Sequence, residues 1–158
     1  MSPFWQNDSI VTSLQKDFVL TSQGSVGAYI GIDICRTSDG FLELVQPGLI
    51  NEILTACGLQ DQSSQHNTAA NMILTADLTG PPREHSLNYR SIIGMLNYLA
   101  SFTRPDIAFA VHQCARFTTS PRRVHELAIW QIVWHLKATS THDYTLKPSQ
   151  FFNFGLFC

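Results

Sequence analysis

Asp33, Asp39 and Glu43 are the acidic residues of this chain spaced closely enough to suggest a metal site, and His112, Cys114, His125 and His135 offer nitrogen and sulfur ligands. A hard divalent cation needs several oxygen ligands converging on one point. Asp39 instead falls in a Ser38-Asp39-Gly40 turn, and Asp33 and Glu43 fit exposed or edge positions of the flanking strands, so a surface hairpin explains the three better. His112 and Cys114 stand two apart on a helical stretch, where they point to different faces, and the downstream histidines miss zinc spacing. No third group orients either of them for Cys-His nucleophilic chemistry. The cysteines at 35, 57, 114 and 158 lack CxxC spacing and read as small core residues rather than ligands or disulfide partners.

The remaining chemistry is electrostatic. Formal net charge is only -2, which argues against a dedicated nucleic-acid module, but the charge is polarised along the chain. Up to residue 82, Lys16 and Arg36 face eight acids. From Arg83 onward, Arg83, Arg90, Arg104, Arg116, Arg122, Arg123, Lys137 and Lys147 face Glu84, Asp106, Glu126 and Asp143. A basic second half offers phosphate contacts; a solvated helix surface is the alternative.

The elements that position these residues are legible from periodicity. Ile10, Val11, Leu14 and Phe18 have helical spacing. AYIGIDIC over 28–35 and FLELV over 41–45 read as two strands of one hairpin, with Ile30, Ile32 and Ile34 on the core face and Tyr29, Gly31, Asp33 and Cys35 on the other. Pro47 starts a helix carrying Leu49, Ile50, Ile53, Leu54 and Cys57, and Gly58 stops it. Residues 59–85, rich in Gln, Ser, Asn, Thr and Pro, read as an exposed connector whose length suits a hinge or a strip laid on a partner. Three helices follow. The first carries Tyr89, Ile92, Ile93, Leu96, Leu99 and Ala100 behind a Ser86 N-cap. The second starts at Pro105, and the third at Ser120-Pro121 with Val124, Leu127, Ala128, Ile132, Val133 and Leu136. The fold class is therefore α+β: a hairpin and helix, then a mainly helical bundle.

With 158 residues and 44% hydrophobic content, the chain has material for one ordinary core. It shows no signal-peptide pattern and no apolar run of membrane-spanning length, so the sequence reading is an intracellular protein, cytoplasmic or nuclear, without membrane contact.

The block YRSIIGMLNYLASFTRPDIAFAVHQCARF, above all its TRPDIAFAV centre, resembles the thumb-side region of copia-type LTR retrotransposon reverse transcriptases, and YIGIDI is similar to the family's FLGIxI hairpin. The likeness extends from about residue 10 to 148. It implies a palm-end, primer-grip-like hairpin over 1–58, the connector over 59–85, a thumb-like helical region over 86–140, and over 141–158 a truncated link toward a ribonuclease H domain. On that reading Tyr29 and Gly31 lie at a primer terminus, and Arg90, Arg104, Arg116, Arg122, Arg123 and Lys137 are the candidate phosphate contacts of an RNA-DNA or DNA duplex. An ion pair or cap bond between Arg104 and Asp106 is the competing reading for that arginine.

The resemblance also implies what is missing. The family's polymerase uses magnesium held by carboxylates that include a YxDD pair, yet this chain has no Asp-Asp pair and no acid after Asp143. The expectation is a noncatalytic segment, without a cofactor of its own, that works with the missing polymerase portions or survives as an orphaned binding module or an inactive pseudogene product. Trp130, Gln131, Trp134 and His135 stand where the family tends to carry basic residues and a tyrosine, either as decayed positions or because the tryptophans, four residues apart, pack on a neighbour. Phe151, Phe152, Phe154 and Phe157 form an aromatic tail read as a truncated strand, translated noncoding sequence or a partner strip.

Overall fold

A computed structural model describes residues 12–19, 27–60, 73–77, 79–84, 87–142 and 144–147. The expected Ser86 cap, the aromatic tail and Cys158 lie outside these, as do Ile10 and Val11. Of the expected first helix, residues 12–14 form a helical turn that leaves Leu14 and Phe18 exposed.

Residues 28–35 do not run as one strand. β1 (Ala28–Tyr29) and β2 (Ile32–Arg36) are separate antiparallel strands with Tyr29 opposite Ile32. Ile30 and Gly31, at φ 50° and 71°, make the two-residue turn between them. Positive φ at both centres is the backbone of a type I′ hairpin turn, whose twist matches that of the strands. The turn carries Ile30 out of the alternation, and it is exposed rather than on the core face with Ile32.

β3 (Leu42–Val45) pairs with β2 across the expected turn. Gly40 adopts φ 82°, its N–H donates to Thr37 O at 3.0 Å, and Thr37 N–H donates to Phe41 O at 3.0 Å. Only glycine adopts this left-handed position cheaply. β4 (Tyr144–Leu146) returns from the far end of the chain to pair with β3, giving a four-stranded antiparallel sheet in the order β1-β2-β3-β4. The sequence offers only three residues of strand pattern there, too short a run to signal pairing.

α1 (Pro47–Ala56) begins on its proline and ends on Gly58 at φ 66°. Leu59 N–H donates to Leu54 O and Gly58 N–H to Thr55 O, both at 2.9 Å, the paired bonds of a Schellman end, and Leu54 and Leu59 are both buried beside it. α2 (Tyr89–Phe102) is capped by Asn88, whose side chain accepts from Ser91 N–H at 3.1 Å. Its buried residues are the six of the sequence stripe. A 3-10 turn (Pro105–Ile107) leads into α3 (Ala108–Ala115), and α4 (Arg123–Ala138) completes the bundle. On α4 the inner face is shifted from the expected one: Ile129 is fully buried and Leu127 is exposed.

The four helices share one apolar cluster built on Ile53, Ile92, Leu96, Leu99, Val111, Ile132 and Leu136. Tyr89 on α2 donates its hydroxyl hydrogen bond to Cys114 O on α3 at 2.9 Å, so the start of α2 lies at the end of α3 and the two run antiparallel. Burial pushes the Cys57 thiol up to about 11 and the Cys114 thiol to about 12. Both are core cysteines, whereas Cys35 is exposed.

Parts of the 59–85 stretch belong to this body. Leu59 and Leu74 are buried in the cluster, which departs from a wholly exposed connector. His125, at the third position of α4, accepts from Arg122 N–H through Nδ1 at 2.9 Å and contacts Thr75 O through Nε2 at 3.0 Å. Because a backbone N–H only donates and a carbonyl only accepts, the ring is the Nε2–H tautomer. The ring also stacks on Phe117 at 4.1 Å.

Candidate nucleic-acid interface

The hairpin tip is built by a strained turn and held by one helix. β-branched residues seldom adopt positive φ, at a cost of about 1–2 kcal/mol, so Ile30 needs an external hold. Tyr98 of α2 supplies it by donating to Ile30 O at 2.5 Å. Tyr98 in turn packs against Phe102 with ring centroids 4.8 Å apart. Tyr29 and Ile30 project outward, 65% and 62% exposed, while Gly31 leaves the tip without a side chain at its apex. The tip therefore presents an aromatic ring, an aliphatic group and open backbone.

The cationic candidates divide by location. Arg90 at the start of α2 and Arg116 at the end of α3 are exposed, and Arg122 before α4 is half-buried. The Tyr89–Cys114 bond and the Phe117–His125 stack bring these three helix ends together. Arg116 spans to Gln113 Oε1 at 3.0 Å and lies over the Phe117 ring at 5.4 Å.

Arg104 and Lys137 sit elsewhere, while Arg123 follows Arg122 at the start of α4, and all three hold the fold. Arg104 is 3% exposed. Its Nε and Nη2 donate to the two Asp106 carboxylate oxygens at 2.9 and 2.8 Å, while Nη1 and Nη2 donate to Thr139 O and Oγ1 at 3.1 and 2.5 Å. Four of the five guanidinium donors are thereby engaged, joining the α2–α3 turn to the end of α4. The ion-pair reading of Arg104 is the observed one, and the phosphate-contact expectation for this residue is corrected by its burial. Partial burial works to raise the Asp106 carboxyl, but hydrogen bonds from Arg104 and His135 outweigh it and hold the group at about 2.

Arg123 pairs with Glu84 at 2.6 Å and with the fully buried Glu126 at 3.2 Å, and Glu126 also accepts Glu84 N–H at 3.1 Å. A carboxylate in the first turn of α4 further suits the helix dipole. Lys137 donates to Leu59 O and, at 2.9 Å, to Gln60 O, closing the end of α1. Trp130 and Trp134 pack against the apolar cluster, and His135 bonds Asp106 at 2.9 Å, so these departures from the family pattern have structural places here.

The structure does not merge the hairpin tip with the arginine group. Tyr98 and Arg90 are eight residues apart on α2, about 12 Å along the axis, with the tip toward the end of the helix and the arginines at its start. Asp33 and Glu43 flank the sheet opposite Val45 and Cys35, and no cluster of three potential metal-ligating His, Cys, Asp or Glu residues occurs among the described residues. Sequence reasoning missed Asn88, Tyr98 and Thr139; only the Asn at the head of an apolar stripe was a readable signal, since the other two depend on tertiary partners.

By structure the chain is a mixed α+β unit with a strained hairpin tip and, apart from it, a group of two exposed arginines and one half-buried one. Comparison with known proteins places it further. The chain is 29% identical over 135 residues to the Retrovirus-related Pol polyprotein from transposon RE1 of Arabidopsis thaliana, covering 85% of this chain and 9% of that protein. It is 24% identical to a putative transposon Ty5-1 protein of Saccharomyces cerevisiae, over 84% of this chain and 43% of the other. An uncharacterized mitochondrial protein of Arabidopsis thaliana is 26% identical over 94% of this chain and 61% of its own length. No family model matches the chain, and no solved structure does. The chain is thus similar over most of its length to Pol polyproteins and other proteins of transposons, and it spans less than two thirds of the length of these relatives. Among the described residues no helix is long and apolar enough to cross a membrane.

Proposed function

We propose that this chain is a duplex-holding segment of a retrotransposon RNA-directed DNA polymerase, contributing contacts rather than the chemical step. The observation that carries the reading is the Ile30-Gly31 turn, strained at a β-branched residue and pinned by Tyr98, within a chain related to Pol polyproteins. Strain of this kind persists where surrounding structure fixes a backbone for use. Tyr29 and the backbone of Gly31 contact the primer terminus, and Arg90, Arg116 and Arg122 neutralise phosphates farther along the duplex. Sequence is left to base pairing, because phosphate contacts position without reading bases. Any magnesium belongs to polymerase carboxylates outside this set of residues. The purified chain should bind an RNA-DNA hybrid weakly, by fluorescence anisotropy at low salt. Changing Arg90, Arg116 and Arg122 together to Ala should abolish that binding, whereas an unchanged affinity sinks the assignment.

A second reading rests on the sheet. Ile34, Leu44 and Tyr144 align across three strands and Leu42 and Leu146 across two, and none of these residues belongs to the helical apolar cluster. That face suits packing against another part of a longer polyprotein. Protection of these residues from hydrogen exchange on adding the remaining polymerase portions supports this reading, and unaltered exchange opposes it.

A further inference from the structure

We propose that the cavity between the sheet and the helical body binds the carboxylate of a small acid, with Gln46 as its anchoring donor. The cavity has a volume of about 240 Å³ and lies where β3 meets the starts of α1 and the α2–α3 turn. That is below the range of sites for drug-sized ligands, and suits one small group rather than a nucleotide.

Gln46 precedes α1 as its N-cap, yet its side chain does not cap the helix. Its amide oxygen instead accepts from Thr103 Oγ1 at 2.8 Å, with both residues buried. This leaves Nε2 without a protein partner on a residue only 2% exposed that lines the cavity. A buried amide N–H group without an acceptor costs on the order of a hydrogen bond, so it marks a place for one. Pro47 at the head of α1 lines the same wall, which sets the positive end of that helix beside the cavity. Arg104 contributes a guanidinium whose charge is offset by Asp106.

The charge around the cavity selects the ligand. Glu43 lines it as well, as does the exposed His142. A like charge opposes a doubly charged phosphate more than a singly charged carboxylate. The donors at Gln46 and the head of α1 therefore seat one carboxylate, with Glu43 weakening it.

The test is titration of the purified full chain with sodium acetate against sodium chloride at equal ionic strength, read from the Gln46 side-chain amide and Thr103 signals by NMR. Saturable shifts with Kd on the order of millimolar are expected. Gln46→Leu, its fold checked by its amide spectrum, should lose them, while Glu43→Gln should bind acetate roughly fivefold more tightly. N-acetylglycine separates the sources: tighter binding than acetate assigns a chain terminus, and equal or weaker binding assigns a free small acid. No saturable shift in either the wild-type chain or Glu43→Gln overturns the proposal and leaves a cavity that holds water only. Stronger binding of inorganic phosphate than of acetate overturns the carboxylate assignment.

Discussion

Replacing Arg104 with Ala should cost this fold about 3 kcal/mol, and the figure can be built from its partners. Thr139 O, on a residue only 7% exposed, keeps His142 N–H at 3.0 Å and loses only the charged bond from the guanidinium, at about 1–2 kcal/mol. Thr139 Oγ1 still donates to His135 O at 2.7 Å, so the hydroxyl contributes little to the loss. Asp106 is 43% exposed and keeps His135, which limits the ion-pair share to about 1 kcal/mol at most. Loss of the packed arginine stem adds to these. In urea unfolding followed by circular dichroism, this should appear as a lower midpoint with an unchanged slope. On heating, the melting temperature should fall by about 6–12 °C. The pH dependence gives an independent check. The Asp106 carboxyl is lower in the folded chain, about 2 against 3.8, so its contribution is present above pH 3.8 and lost as pH falls through about 2. The shift corresponds to about 2.5 kcal/mol at most, and screening of a group this exposed reduces it to about 1 kcal/mol. The stability gap between wild type and Asp106→Asn should therefore narrow by about 1 kcal/mol from about pH 5 to about pH 2. An Arg104→Ala cost below about 1 kcal/mol, or a gap independent of pH, refutes the clamp.

Ile30→Asn should raise stability by about 1 kcal/mol in urea unfolding, because asparagine tolerates positive φ better than a β-branched residue; a loss would show that the turn needs the isoleucine side chain. Gly58→Ala, at φ 66° with no steric obstruction to a Cβ, should cost about 1 kcal/mol through backbone strain alone, measurable as a lower thermal midpoint. In a Cys158→Ser background, maleimide should label Cys35 rapidly at pH 8 and leave Cys57 and Cys114 unlabelled until the chain unfolds, since burial raises those two thiols to about 11 and 12. Equal labelling of all three would contradict the burial.

What the sequence made legible follows the physics of local pattern. The α2 stripe and the Pro47-to-Gly58 helix were readable because 3.6-residue periodicity and end signals agree there. Residues 28–35 misled because Ile30 carries strong strand propensity, and only the tertiary bond from Tyr98 reveals the turn. β4 was invisible because its pairing with β3 spans most of the chain. At the candidate interface, a count of cationic residues cannot distinguish Arg90, which is exposed, from Arg104, which is buried against Asp106 and Thr139. The Arg-Pro-Asp spacing did hint at that pair, since both residues flank the same helix start.

The central claim is that this relative of retrotransposon Pol polyproteins grips a duplex through few phosphate contacts, and the salt dependence of hybrid binding tests it most directly. Three arginines predict a slope of log K against log salt of about -2 to -3, a loss of roughly 16- to 64-fold between about 50 and 200 mM salt. Restoring Arg122 alone to the triple-Ala chain should recover about one unit of slope. Binding that is absent at low salt, or that persists with a flat salt profile, contradicts the account.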